Sequence, residues 1–217
     1  MNFIKERSRI LTVNLTPGTT FFGEELVRRG KEYRVLDPTR SKLGAALMKG
    51  LQQHGILPGK TVLYLGASHG YTPSFVSDLV GNEGFVFCLD FAPRVVRDLV
   101  FVCEARTNMA PILASANEPE TYAGVVPIVD VVYQDIAQRE QVAMFLKNCD
   151  RFLRRGGYGL LALKARSIDV AKKPGEIFKR VRKEFEDGEA SKRYVLIDYR
   201  ELHPFEKDHA FYVVKKK

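Results

Sequence analysis

The 217-residue sequence predicts an α/β fold, in which a doubly wound and mostly parallel sheet follows a small antiparallel β unit. Three observations predict it. After residue 59, apolar runs of strand length alternate with amphipathic stretches of helix length. The first such run, TVLYLGA, is apolar without interruption, as in strands that are covered on both faces. The first forty residues contain short apolar runs separated by turns, so we divide the chain into a β domain, 1–40, and an α/β domain, 41–217.

Short strands and one helix are expected before residue 60. The predicted strands are ILTVNL, TPGTTFFGE and KEYRVLDP, with turns at 16–18 and 37–38. Ser41 is a predicted N-cap, because leucine and alanine recur at helical spacing directly after it. Gly55 and Pro58 are expected to end this helix.

Strands and helices then alternate along the chain. After TVLYLGA, Thr72 as N-cap and Pro73 at the first helical position predict a helix that ends at Gly81. A second helix is expected at residues 94–107, between the predicted strands GFVFCLDF and APILAS. The next predicted strand, VPIVDVVYQD, ends at Asp135.

The C-terminal third continues the alternation and closes it with a hairpin. The amphipathic stretch REQVAMFLKNCDRFLR is followed by Gly156-Gly157, which is expected to turn the chain into strand YGLLALKAR. A helix is predicted at about 174–187. The last two predicted strands, RYVLIDYREL and HAFYVVKK, are joined by a short connection, so one antiparallel strand is expected at the end of the sheet.

The composition limits the class of protein. No apolar run approaches the roughly 18 residues of a membrane-spanning helix, so no membrane partner is expected. The start, MNFIKERSRI, lacks the apolar stretch of a signal peptide, which predicts an intracellular protein, cytoplasmic if the source is archaeal. Cys88, Cys103 and Cys149 are widely spaced and odd in number, so we expect buried free thiols and no metal site.

Charge is segregated along the chain. Residues 1–60 carry 11 basic and 5 acidic side chains, residues 61–138 carry 3 and 9, and residues 139–193 carry 15 and 8. Clustered lysine and arginine are typical of proteins that bind a polyanion through its phosphates. A merely solvated surface is the alternative interpretation of the charge pattern alone.

The turn after the first parallel strand carries the first chemical pattern. Gly66 and Gly70 permit a tight turn and a close approach of a ligand to the main chain. Asp90 ends the next strand, at the position that hydrogen-bonds ribose hydroxyls in doubly wound sheets. The spacing G-x-x-x-G differs from the G-x-G-x-x-G of a pyrophosphate site, which disfavours a dehydrogenase. A ribose-bearing ligand without phosphates fits better, and S-adenosylmethionine is the common one; a purely structural glycine pair is the alternative.

Polar residues also follow the next two strands. Ser115-Ala116 and the run from Asp135 to Gln138 lie where ligands bind, at the carboxyl ends of the strands. Asp135 follows an apolar run and is poorly explained by packing, although it precedes an amphipathic stretch and a helix N-cap is the alternative.

Several segments, in order along the chain, match one known family: YRVLDPTRSKLGAAL, VLYLGASHGYT with SFVSDLVG, RDLVFVCEARTNMAPIL, YQDIAQREQ, GGYGLLALKARSIDV and HPFEKDHAFYVV. Through them, residues 33–217 resemble fibrillarin, an RNA 2′-O-methyltransferase, in the short archaeal form without a Gly/Arg-rich tail. The resemblance implies a Rossmann-like class I methyltransferase with a seven-stranded sheet. The turn GASHGYT departs from the family's usual GAASGTT, and Ser115 stands where an acid is usual.

The resemblance and the turn residues together predict the site. The predicted S-adenosylmethionine site comprises Gly66, Ala67, Gly70, Tyr71, Thr72, Asp90, Phe91, Ser115, Ala116, Asp135, Ile136, Ala137 and Gln138. The implied catalytic constellation is Lys42, Asp135, Lys164 and His209. Asp135 would orient the 2′-hydroxyl and, in one alternative, accept its proton through a neighbour. Lys164 would stabilise the developing alkoxide or, in the other, act as the base. Lys42 and His209 would hold the ribose and its phosphate; a sulfonium leaving group requires no metal.

The same resemblance implies an RNA-guided enzyme. Residues 151–183 hold 11 lysines or arginines and 2 acids, and we expect Arg166, Lys172 and Lys173 to contact the RNA backbone. In the family, a box C/D guide RNA selects the target rRNA or tRNA. A Nop-domain scaffold protein binds the methyltransferase there, and a kink-turn-binding protein binds the RNA. Two alternatives remain: a non-catalytic RNA-binding subunit of the same fold, and a methyltransferase that acts on another substrate.

Overall fold

Two separate sheets make up the fold. The computed structural model describes residues 3–6 and 9–217. The first sheet has strands β1 (Phe3–Glu6), β2 (Arg9–Val13), β3 (Leu26–Arg29) and β4 (Lys31–Leu36) in the order β1-β2-β4-β3. Neighbouring strands in it are antiparallel. The strand predicted from TPGTTFFGE is wrong, because this stretch forms turns and β3 begins only after it.

The second sheet has seven strands and positions the functional residues. Its strands are β5 (Thr61–Leu65), β6 (Phe85–Asp90), β7 (Met109–Leu113), β8 (Val129–Gln134), β9 (Leu153–Lys164), β10 (Tyr194–Glu201) and β11 (His209–Lys216). The order is β10-β11-β9-β8-β5-β6-β7, and β5 to β9 are parallel. The predicted α/β class with one antiparallel strand is therefore confirmed. Gly156-Gly157, however, lies inside β9, because this strand begins at Leu153.

The antiparallel strand does not lie at the end of the sheet, where we expected it. β11 pairs antiparallel with both β9 and β10, and β10 is the edge strand. The chain crosses from β9 to β10 and leaves a gap one strand wide, which β11 fills on its return. His209 at the start of β11 thus lies opposite Lys164 at the end of β9.

Six helices cover the two faces of the large sheet within the described residues. They are α1 (Lys42–Met48), α2 (Tyr71–Val80), α3 (Pro93–Glu104), α4 (Gln141–Phe152), α5 (Ala165–Ile168) and α6 (Pro174–Glu186). Apolar residues of α1, α2 and α3 form one core on one face, and those of α4 and α6 form another on the opposite face. Cys88, Cys103 and Cys149 are buried and free, as expected. No helix in the described part of the chain is long and apolar enough to cross a membrane.

Two helix boundaries correct the sequence-based predictions. The N-cap at Ser41 is confirmed, since its hydroxyl accepts a hydrogen bond from Gly44 N at 3.1 Å. However, α1 ends at Met48 rather than near Gly55, and Gly50, with φ of 91°, turns the chain away. The N-cap of α2 is Gly70 and not Thr72.

A buried ionic cluster joins the small sheet to the large one. Arg34 of β4 binds Glu24 at 2.6 Å and Asp78 of α2 at 2.9 Å, and Arg106 binds Asp78 at 2.7 Å. The side chains of Arg34, Asp78 and Arg106 are 0% exposed. The guanidinium of Arg34 also lies 4.0 Å from the centre of the Phe75 ring. Because both arginines share one carboxylate, the position of the small sheet depends on Asp78.

Candidate active site

A cavity opens at the carboxyl ends of β5, β6 and β8. Its volume is about 310 Å³. Nine of the predicted cofactor residues line it: Gly66, Asp90, Phe91, Ser115, Ala116, Asp135, Ile136, Ala137 and Gln138. Ser68, Leu89, Asn117 and Met144 also line it and were not predicted. Ser68, Leu89 and Asn117 adjoin predicted residues in sequence, which was a usable signal, whereas Met144 comes from the apolar face of α4 and gave none.

The turn after β5 is closely packed against the segment that follows β8. Gly66 has φ of 81°, and a Cβ atom there would lie 2.3 Å from the carbonyl oxygen of Asp135. The N–H groups of Gly66 and Ala67 both donate to the Leu89 carbonyl oxygen at 2.9 Å. Only glycine fits at position 66, because it alone tolerates both this backbone angle and this approach. The turn therefore holds the main chain of Asp135 at the cavity wall. Gly66 thus has a structural role in addition to its predicted place in the cofactor site.

Asp90 is fixed by main-chain donors at the end of β6. Its Oδ2 atom accepts from Ser68 N at 2.9 Å, and its Oδ1 atom accepts from Ala92 N at 3.1 Å. Each carboxylate oxygen has two lone pairs, so both can still accept a hydrogen bond from a ligand hydroxyl. The next residue, Phe91, is 65% exposed at the cavity and offers an aromatic face.

Four predicted cofactor residues do not line the cavity: Ala67, Gly70, Tyr71 and Thr72. The Tyr71 hydroxyl accepts a hydrogen bond from Asp37 N at 3.2 Å, and its ring lies edge-on to Phe22 at 5.4 Å. The Thr72 hydroxyl donates to Ser41 at 3.1 Å. These two side chains tie α2 to the segment before it, so any cofactor contact by Tyr71 or Thr72 would use their main chains and stays a prediction.

The other three residues of the implied catalytic constellation lie around Asp135. Lys42 Nζ at the start of α1 lies 3.4 Å from Asp135 Oδ2. Lys164 and His209 are directly opposite each other in the β9–β11 pair, and their charges act on Asp135. The main chain of Lys164 is held by the Gln141 side chain, which accepts from its N–H and donates to its carbonyl oxygen, each at 3.0 Å. Residues distant in sequence thus form one polar cluster at the cavity edge.

Asp135 is the carboxylate at the centre of this cluster. Burial raises its pKa above the ordinary value, and the nearby charges of Lys42, His209 and Lys164 oppose this effect without cancelling it. Its side chain is 21% exposed, so a substrate hydroxyl can reach it. The alternative role as a helix N-cap is wrong, since Glu140 is the N-cap of α4.

A hydrogen bond places a hydrogen on Nδ1 of His209. This Nδ1 atom lies 2.6 Å from the carbonyl oxygen of Lys207. A carbonyl oxygen only accepts hydrogen bonds, so Nδ1 carries a hydrogen and donates it to Lys207. Nδ1 also lies 3.8 Å from the carboxylate of Glu206, which the sequence analysis had not singled out.

The three predicted RNA contacts differ in their surroundings. Arg166 of α5 binds Asp208 at 3.3 Å and donates to the Val170 carbonyl oxygen at 2.8 Å. Lys172 and Lys173 are exposed directly before α6. Arg166 is therefore partly engaged within the protein, whereas the two lysines are available to a polyanion; all three remain predicted contacts.

The strand order, the cavity at the strand ends and the acidic residue that ends β6 define a Rossmann-like class I methyltransferase. Comparison with known proteins identifies the particular family. The fibrillarin family model matches residues 1–217, and the chain belongs to the fibrillarin family. It is 48% identical over 209 residues to the fibrillarin-like rRNA/tRNA 2′-O-methyltransferase of Pyrococcus horikoshii, covering 96% of this chain and 90% of that one.

Solved structures agree with this assignment. A crystal structure of Aeropyrum pernix fibrillarin with natively bound S-adenosyl-L-methionine has a TM-score of 0.84 and 45% identity, covering 95% of this chain and 88% of that one. A fibrillarin/Nop5p complex has a TM-score of 0.88 and 33% identity, covering 100% of this chain and 98% of that one. The family resemblance expected from the sequence is therefore confirmed.

Proposed function

We propose that this protein transfers a methyl group from S-adenosylmethionine to the ribose 2′-hydroxyl of rRNA or tRNA, at a nucleotide selected by a box C/D guide RNA. The observation that carries the proposal is the contact between the cavity and the polar cluster, since Asp135 belongs to both. The Pyrococcus horikoshii relative is named as an rRNA/tRNA 2′-O-methyltransferase, which supports the proposed reaction. The proposed setting is intracellular, where these RNAs are made.

The residues of the cavity suit S-adenosylmethionine. A volume of about 310 Å³ lies within the range of small-molecule sites. The Asp90 carboxylate can accept from the two ribose hydroxyls, and Phe91 can pack against the flat adenine base. No lysine or arginine is among the described residues that line the cavity, which suits a ligand without phosphates. The Aeropyrum pernix relative, with its bound S-adenosyl-L-methionine, supports the same cofactor.

The chemistry divides between the cofactor and the polar cluster. S-adenosylmethionine supplies an electrophilic methyl group, and its sulfonium sulfur takes the electron pair of the bond that breaks. Asp135 orients the 2′-hydroxyl and accepts its proton, a role favoured by its raised pKa. Lys164 stabilises the negative charge that develops on the 2′-oxygen. Lys42 holds Asp135 in place, and His209 contacts the ribose and its adjoining phosphate.

The proposed partners are a Nop-domain scaffold protein, a kink-turn-binding protein and the guide and target RNAs. The fibrillarin/Nop5p complex supports a Nop-domain scaffold protein as a partner of this chain. A kink-turn-binding protein would join through the guide RNA rather than through a direct contact. The exposed Lys172 and Lys173 would face the phosphates of the guide–target duplex, and this binding should weaken steeply with salt.

Guided methylation tests the proposed function. The protein is assembled with the scaffold, the kink-turn-binding protein and a guide RNA, and tritiated methyl transfer from S-adenosylmethionine is measured. We expect label at the guided nucleotide, and none when this nucleotide carries a 2′-deoxyribose, because the acceptor oxygen is then absent. Label on free small acceptors but not on RNA would instead indicate another substrate. Cofactor binding without any transfer would indicate a non-catalytic RNA-binding subunit.

Cofactor affinity should depend on Asp90. Asp90→Asn keeps the shape of the side chain but removes its charge and one of its two acceptors. Hydrogen bonds to charged groups contribute about 1.5–3 kcal/mol, so we expect S-adenosylmethionine to bind about 10- to 100-fold more weakly by calorimetry. The matched control is Asp98→Asn, because Asp98 is a partly exposed aspartate of α3 that binds His69 outside the cavity. Unchanged affinity in Asp90→Asn would contradict the placement of the ribose at β6.

A further inference from the structure

Glu206 is a second carboxylate in the polar cluster. Its Oε1 atom lies 4.0 Å from Lys42 Nζ, and its Oε2 atom lies 3.8 Å from His209 Nδ1. The side chain is only 19% exposed. Glu206 therefore faces two of the four residues to which the proposed function gives a role, and that function assigns no role to Glu206.

The loop that carries Glu206 is fixed at its base. Glu206 N and Phe205 N both donate to the carbonyl oxygen of Leu202, at 3.1 and 2.9 Å. Leu202 is fully buried, and Phe205 packs against the core that α1 also joins. The backbone of this loop is thus anchored to the fold, so the carboxylate of Glu206 has a defined position near Lys42.

Lys42 lies close to two negative charges. Its ammonium is 3.4 Å from Asp135 Oδ2 and 4.0 Å from Glu206 Oε1. A lysine side chain has a flexible four-carbon stem, so a single ionic contact leaves the ammonium several positions to occupy. Two carboxylates on separate segments restrict it to positions within reach of both. This geometry keeps Lys42 beside Asp135, the residue that meets the substrate hydroxyl.

We propose that Glu206 is a positioning residue for methyl transfer: its carboxylate holds Lys42 against Asp135. The inference rests on the function proposed above. Glu206 does not line the cofactor cavity. Its removal should therefore slow the transfer step without weakening the binding of S-adenosylmethionine, whereas a purely structural residue would affect both.

Single-turnover methylation in the assembled guide complex provides the test. Glu206→Gln keeps the size of the side chain and removes its charge. We expect its rate constant to fall about 10- to 100-fold, since small misplacements of catalytic groups have effects of this size. Cofactor and target-RNA dissociation constants should stay within about twofold. Glu206→Asp, which retains a carboxylate, should recover part of the rate.

The control is Glu201→Gln on the same hairpin, where the carboxylate binds the Tyr199 hydroxyl at 2.9 Å. It makes the same change of charge and should react at the wild-type rate. A wild-type rate in Glu206→Gln would overturn the inference, as would a loss of cofactor affinity or of the folded state in this variant alone. Failure of the wild-type complex to methylate any guided RNA would instead overturn the proposed function, and the inference with it.

Discussion

Asp135→Asn is expected to slow methyl transfer about 10²- to 10⁴-fold, the usual contribution of a positioned proton acceptor. Asparagine can still occupy the site between β5 and β8, but it cannot take the proton of the 2′-hydroxyl. It also removes the negative charge that attracts Lys42 at 3.4 Å. The main chain of Asp135 should stay in place, because its N–H donates to the Leu65 carbonyl oxygen at 2.9 Å. Cofactor binding should therefore change much less than the rate.

The pH dependence of the methylation rate provides a second test of Asp135. Burial raises the pKa of Asp135 above the ordinary aspartate value of about 3.9, so its proton is lost at a higher pH than usual. The wild-type rate should fall as the pH drops through this raised pKa, because the protonated acid cannot accept a proton. A raised pKa also means that ionisation above it costs folding stability. Asp135→Asn should accordingly melt no lower than the wild type at pH 7.

Single-turnover rates across pH, together with melting temperatures, check this prediction. Asp187→Asn, an exposed aspartate at the end of α6, is the matched control and should behave as the wild type. If the Asp135→Asn variant melts far below the wild type, its loss of activity would be due to unfolding. An Asp135→Asn enzyme with an unchanged rate would remove Asp135 from the proposed proton transfer.

The sequence predicted those site residues whose position depends on strand order alone. Asp90, Ser115 and Asp135 follow parallel strands, and the carboxyl ends of such strands meet at one edge of a sheet. Lys42, Lys164 and His209 needed the family resemblance, because α1 and the β9–β11 pair are brought to that edge only by tertiary packing.

The remaining features depended on contacts that no local pattern encodes. The side chain of Tyr71 could not be placed from the sequence, because its ring packs edge-on against Phe22, which lies in the turn segment between β2 and β3. Glu206 lies in a loop, and only the inward return of β11 brings this loop to Lys42. Because β11 returns between β9 and β10, the antiparallel strand lies inside the sheet and not at its edge, where we expected it.

Among the substitutions considered, replacement of Asp78 is expected to lower the free energy of unfolding most. It is buried between Arg34 and Arg106, and it also accepts a hydrogen bond from the Thr12 hydroxyl at 2.8 Å. Removing one partner of a buried ion pair leaves an uncompensated charge and costs about 3–5 kcal/mol. Asp78→Asn leaves the cluster with two arginines and only the Glu24 carboxylate on Arg34. We therefore expect the free energy of unfolding in urea to fall by about this amount.

The cluster also predicts how the protein unfolds. Arg34 belongs to the small sheet and Asp78 to a helix of the large one, so unfolding of either unit would expose charges on the other. We infer one cooperative transition in the wild type, seen equally by far-ultraviolet circular dichroism and by tyrosine fluorescence. Glu104→Gln, which removes an exposed charge at the end of α3, should unfold as the wild type does. Two separate transitions in the wild type would show that the two units unfold independently. An Asp78→Asn variant as stable as this control would show that contacts other than the ionic cluster join them.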